Sequence, residues 1–157
     1  MQFGIIVDSL NQSQLSTQLI SSINNLYKLD RYVDVIVFFK QYDIPIIHPY
    51  FPVMNINELY GFRNPVISTC ISTTKILQKQ PFIEKKFFYV WSLEWMFFDF
   101  NYSSLDSVYM DKDIELIARS EIDAQFISAC WRKPSYIIEE FNYEKTYEVI
   151  TGTSKKI

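Results

Sequence analysis

Phe3-Gly4-Ile5-Ile6-Val7-Asp8 and, after an interval of helical character, Val33-Asp34-Val35-Ile36-Val37-Phe38-Phe39 are the runs that decide the fold. Both are apolar almost throughout and lack the alternation of a strand with one wet face. A strand covered on both faces, as in a parallel sheet, reads this way. Between them, Asn11 or Ser13 can cap a helix running to about Leu29. Its Leu15, Leu19, Ile23 and Leu26 follow the helical period, while Gln14, Ser21 and Asn25 face water. Strand, helix, strand is a βαβ unit, whose crossover should be right-handed.

The same alternation continues along the chain. Pro45, Pro49 and Pro52 exclude a helix between Ile44 and Asn57, leaving Tyr50 to Met54 as a short edge strand. Pro65 to Cys70 reads as a strand, Ser72 to Gln80 as its helix with Ile76 and Leu77 buried, and Lys86 to Trp91 as a central strand. Glu94 to Tyr109 is aromatic and irregular, a helical turn plus a loop. Ile114 to Ala118 is a strand, and Ser120 with Asp123 starts a helix in the manner of a capping box. That helix, running to Arg132 before Pro134, places Ile122, Phe126 and Cys130 on one face. Tyr136 to Glu139 is a final strand, followed from Tyr143 by a strand or short helix, and Thr151 to Ile157 should fray. The expected fold is one α/β domain over residues 1–150: a doubly wound, mainly parallel sheet with helices on both faces.

At 157 residues the chain is long enough to bury a core without staples. A formal charge of −3 argues against a nucleic-acid partner, which calls for a basic face; Lys85-Lys86 and Lys155-Lys156 are too short to make one. The apolar runs fall far short of the ~20 residues of a membrane helix, so no membrane association is expected. Two cysteines, Cys70 and Cys130, cannot form a disulfide framework, and no basic leader precedes the first strand. A cytoplasmic protein with free thiols is the expectation. Only 3 glycines, with heavy use of Ile, Asn, Lys, Tyr and Phe, is the usage of an AT-rich genome such as a bacteriophage's.

In open parallel sheets ligands sit beyond the carboxyl ends of the strands, at the switch point. That rule selects Asp8-Ser9, Thr69 to Thr74, Trp91 to Trp95 and Arg119 to Glu121. The first loop, Asp8 to Ser13, has neither the glycines of a dinucleotide fingerprint nor a P-loop, and no cofactor is expected. Asp8 can bind a hydroxyl, act as a base, or cap the next helix. Thr69, Ser72 and Thr73 surround a helix start, which suits a phosphate or a sugar hydroxyl, though ordinary N-capping is the better reading. Ser72-Thr73-Thr74-Lys75 matches S-x-x-K by chance, without its companion motifs. Cys70 and the sole histidine, His48, have nothing in the sequence to bring them together as a nucleophile–base pair; a structural cysteine is the better reading. One histidine and two dispersed cysteines leave no transition-metal site. Phe88-Tyr89-Val90-Trp91-Ser92-Leu93-Glu94-Trp95 is the most distinctive stretch. Its tryptophans can pack on sugar rings and Glu94 can accept from their hydroxyls or act as a base; an aromatic core with Glu94 capping or ion-paired is the other reading.

That stretch, with Ile117-Ala118-Arg119-Ser120-Glu121 and Pro134-Ser135-Tyr136-Ile137-Ile138, resembles the N-terminal, acceptor-side Rossmann-like half of GT-B glycosyltransferases. The likeness extends from Phe3 to about Phe141. It implies a sugar or glycan acceptor held by Asp8, Ser9, Thr69, Ser72, Thr73, Trp91, Glu94, Trp95 and Ser120. The family's donor-binding domain has no counterpart here, so the resemblance implies no donor binding or turnover by the isolated chain. Three functions follow as expectations: an acceptor half completed by a donor-domain partner, a non-enzymatic interaction module that pairs as a homodimer, or a small sugar- or nucleotide-binding domain acting alone.

Overall fold

The structure, a computed structural model, describes residues 1–29 and 33–157. Seven strands form one sheet in the order β3-β2-β1-β4-β5-β6-β7, every neighbouring pair parallel. They are β1 (Phe3–Leu10), β2 (Val35–Tyr42), β3 (Val53–Asn55), β4 (Val66–Ser68), β5 (Lys86–Tyr89), β6 (Ile114–Ala118) and β7 (Tyr136–Ile137). The helices are α1 (Gln14–Lys28), α2 (Ile71–Gln78), α3 (Tyr102–Tyr109), α4 (Glu121–Cys130) and α5 (Tyr143–Thr151). The expected α/β doubly wound sheet is thus observed in Rossmann-like order, and it is parallel throughout. The order reverses between β1 and β4, which makes that junction the switch point.

Side-chain alternation divides the core between the two faces. Phe3, Ile5 and Val7 of β1, with Val35 and Val37 of β2, pack under α1 and α5 through Leu19, Ile23, Val149 and Ile150. Ile6, Phe38 and Val66 point the other way, against Leu77 of α2, while Phe88, Val90 and Leu116 pack under Leu105, Val108 and Ile127 of α3 and α4. Every residue from Phe3 to Val7 therefore has a buried destination, which is why no polar alternation appears there. Gly4 is favoured for a steric reason. A Cβ there would lie 3.1 Å from each of Phe38, Phe62 and Val66, so these packed side chains would have to give way by a few tenths of an ångström to admit one.

Several local expectations change. β1 continues to Leu10 and β2 to Tyr42, because their ends stay in register as Ser9↔Gln41 and Leu10↔Tyr42. The Ile122, Phe126 and Cys130 face of α4 is turned outward, with Ile122 65% and Phe126 47% exposed. The helix buries Ala124 and Ile127 instead, and the small Ala124 lets it lie close on β6. The irregular aromatic stretch contains a 3-10 turn at Glu94–Met96 and the whole of α3. Asn101 caps α3 by accepting from the Ser103 amide at 2.9 Å. From Tyr143 the chain is helical, closed at Gly152, whose φ of 76° suits glycine. The segment beyond it, expected to fray, is tied to the body. The Ile157 amide donates to Ser135 O at 3.0 Å, and Lys156 pairs with Glu115 at 2.8 Å. No helix of the described residues is long and apolar enough to cross a membrane.

Candidate functional site

The carboxyl ends of β1, β4 and β5 bring three chain segments to one rim. Val7 is buried and Asp8, the next residue, is exposed, so the strand carries its carboxylate out of the core at the switch point. Parallel register sets Lys40 of β2 beside it. Lys40 Nζ lies 2.6 Å from Asp8 Oδ1, and the Ser72 hydroxyl donates to the same oxygen at 2.9 Å. Burial pushes the Asp8 carboxyl up, but the bonds from Lys40 and Ser72, with the charge of Lys40, outweigh it and hold the group below its usual value. Asp8 is therefore a carboxylate acceptor near neutrality and a poor base.

Glu94 approaches from the loop after β5. Its Oε2 accepts from the Ile71 amide, the first of α2, at 3.0 Å. A carboxylate there satisfies one of the free donors at a helix start and meets the positive end of the helix dipole. Burial raises the Glu94 carboxyl above its usual range; the Ile71 amide opposes that and the charge of Asp8 adds to it. Asp8, Cys70, Ile71, Ser72, Lys75, Glu94, Phe98 and Phe100 line a cavity of about 300 Å³. Phe98 is 66% exposed at its mouth, set edge-on to Phe100 at 6.4 Å between ring centroids. Asp8 Oδ2 and Glu94 Oε1 accept no hydrogen bond from the described residues. Two carboxylates, each with an oxygen that accepts no such bond, thus line one small cleft beside exposed aromatic surface.

The other hydroxyls of the α2 start are occupied. Thr69 is buried and donates to Ile6 O at 2.9 Å, fastening β4 to β1. Thr73, also buried, accepts from the Thr69 and Cys70 amides at 3.3 and 3.2 Å. Ser68 and Thr74 bond each other at 2.7 Å. Only Ser72 points outward. Ser9 sits outside the cavity, its hydroxyl 3.4 Å from Asp43 Oδ2. Cys70 lies in the cavity wall, where burial pushes its thiol up despite the opposing bonds from Ser72 and Thr73, so it is no ready nucleophile. His48 is held elsewhere: its carbonyl accepts from Asn24 of α1 at 2.7 Å and its ring lies beside Tyr50.

The two tryptophans that flank Glu94 in sequence part company in space. Trp91 is half-buried against the α1–α5 face, and the Arg119 guanidinium stacks 4.0 Å above its ring centroid. Trp95 is half-buried on the opposite face, edge-on to Tyr109 at 4.8 Å and to Trp131 at 6.2 Å. Neither lines the cleft; Trp95 packs the turn that carries Glu94. Ser120 lies farther along the rim and caps α4, accepting from the Asp123 amide at 3.0 Å. It belongs to a second, wider hollow of about 620 Å³ with Arg119, Asp123, Glu139, Glu140 and Lys145. That hollow is larger, but it is lined by charges of both signs and offers no aromatic surface, so the switch-point cleft is the better candidate.

Sequence reasoning reached Asp8, Ser72 and Glu94 and missed Lys40, Phe98 and Phe100. Lys40 had a signal: it directly follows the apolar run of β2, where the carboxyl-end rule applies. Phe98 and Phe100 had none beyond lying in an aromatic stretch. Among the described residues no group of three or more His, Cys, Asp or Glu side chains is placed to hold a metal ion. Compared with known proteins, the chain matches no family model, no curated protein and no solved structure.

Proposed function

We propose that the switch-point cleft binds a carbohydrate, as the acceptor half of a glycosyltransferase-like assembly whose donor half is a separate partner protein. One observation carries this reading: Asp8 Oδ2 and Glu94 Oε1 stand with free acceptor capacity beside Phe98 and Phe100 in one cavity. Sugar hydroxyls donate to carboxylates, and the apolar face of a pyranose packs on an aromatic ring. The Ser72 hydroxyl adds a group that can exchange its bond to Asp8 for one to a ligand. In this reading Asp8 orients the ligand and Glu94, with its raised carboxyl, is the group suited to take a proton from an attacking hydroxyl.

Titration of the ¹⁵N-labelled protein with a panel of neutral mono- and disaccharides tests the proposal. A responding sugar should move the amides of Ser72, Glu94 and Phe98. Phe98→Ala and Asp8→Asn should each weaken binding about tenfold with little change in thermal stability, since both side chains are exposed. No response to any sugar at millimolar concentration, or affinities untouched by both variants, would overturn it.

The second reading is an interaction module, favoured by the exposure of Met96, Phe97 and Tyr102 around the same loop, with Phe97 at 74%. Apolar groups clustered on a rim suit a protein surface, either the donor partner or a second copy of the chain. A stable homodimer in sedimentation equilibrium, lost in Phe97→Asp, together with silence toward sugars, would select it.

A further inference from the structure

Glu94 does more than offer an oxygen: it already occupies the position where an anionic ligand would sit. The start of α2 is the one helix end that opens into the cleft, and its first amide, Ile71, is bonded to Glu94 Oε2 at 3.0 Å. Two further amides nearby are also engaged. Thr73 accepts from the Cys70 amide at 3.2 Å, and the Thr74 amide bonds Cys70 O at 2.9 Å within the helix. The cations nearby are committed as well, Lys40 to Asp8 and Lys75 to the Ser104 hydroxyl. A phosphate entering this cleft meets an internal carboxylate already bonded to the helix start and lies beside two carboxylates. Like charges brought this close at a partly screened site repel, so the phosphate form is disfavoured.

From this we infer that Glu94 is the specificity-determining residue of the cleft, admitting uncharged polyhydroxylated ligands and rejecting their phosphate esters. The inference rests on the carbohydrate reading for its ligand class, but the blocking geometry stands independently of it. An uncharged sugar leaves the Ile71–Glu94 bond intact and donates to the free oxygens Asp8 Oδ2 and Glu94 Oε1. A sugar phosphate meets the same oxygens as repulsive neighbours and finds the first amide of the helix already taken. Glu94→Gln keeps a carbonyl oxygen for the Ile71 amide while removing the charge, so it separates repulsion from the cap. Glu94→Ala removes both.

The test compares glucose, galactose and mannose, each against its 6-phosphate, together with inorganic phosphate alone, on the full chain and on both variants. Wild type should bind a neutral sugar at least about tenfold more tightly than its phosphate ester, and Glu94→Gln should narrow that ratio several-fold. Inorganic phosphate should leave the Ile71 and Ser72 amide resonances of wild type unmoved and shift them in Glu94→Ala. Equal affinity for sugar and phosphate ester in wild type, or an unchanged ratio in Glu94→Gln, overturns the inference while leaving carbohydrate binding in place. If no sugar of either kind binds, the carbohydrate reading falls and the phosphate arm decides. A response confined to the variants then upholds Glu94 as the block, and a response in wild type, or in neither, overturns it.

Discussion

Two helices begin at the same rim of the sheet and have their starts capped in different ways. α4 caps itself: Ser120 accepts from the Asp123 amide three residues on, and Glu121 and Asp123 supply negative charge to its first turn. α2 has a local box too, Thr73 accepting from the Cys70 amide, but no acidic residue in its first turn, and its first amide is bonded by Glu94, 23 residues away along the chain. The difference teaches what each end is free to do. A helix capped by its own sequence is complete wherever it is placed. One whose first amide is met from another loop as well holds a charged group that belongs to two elements at once, over a cavity. The first arrangement serves stability; the second leaves a carboxylate oxygen facing the cleft.

The anchoring of the two helices is the natural control. Leu77 of α2 and Ile127 of α4 are both fully buried, so Leu77→Ala and Ile127→Ala should each lower stability by about 2–5 kcal/mol in urea unfolding. A large inequality between them would show that the helices differ in packing, and that the contrast in their caps is secondary. Next in size, Ser120→Ala should cost about 1 kcal/mol, the usual loss for a local N-cap, read as a lowered melting temperature. Glu94→Ala should cost less, about 0.5 kcal/mol, because an interaction across half-exposed loops is screened. A cost above that of Ser120→Ala would make Glu94 chiefly a structural cap and remove the contrast.

The smallest effect is a pair of pH dependences of opposite sign. The Asp8 carboxyl is held below its unfolded value, so its contribution is present above that value and is lost as pH falls through the lower folded one. The Glu94 carboxyl is raised, so stability is greater below the ordinary glutamate value and declines as pH rises from there to the folded one. Unfolding free energies across about pH 3 to 7 should therefore lose the acid-side fall in Asp8→Asn and the decline with rising pH in Glu94→Gln. Matching pH profiles in both variants would mean that the two carboxylates do not sit in opposed environments.

Legibility in the sequence followed the reach of each interaction. The buried strands were readable because every residue of Phe3 to Val7 has an apolar neighbour on one face or the other. The start of α4 was readable because its donor and acceptor lie three residues apart. The orientation of α4 was misleading: Ile122, Phe126 and Cys130 form a stripe as regular as the one that is buried, and period alone does not say which stripe meets the sheet. Trp91, Glu94 and Trp95 read as one cluster because they are adjacent in sequence, yet the chain passes over the sheet edge between the tryptophans and delivers them to opposite faces.

What the sequence determined by itself is a buried parallel sheet with helices on both sides, because strand burial and helical period are written in neighbouring residues. Tertiary structure alone decided the cleft. Asp8 meets Ser72 across a separation of 64 residues and Lys40 across 32, through strand order and register that no local pattern encodes. The physical reason is that a core is specified by many redundant apolar choices, whereas a site depends on a few polar atoms whose distances are fixed only once the sheet has closed.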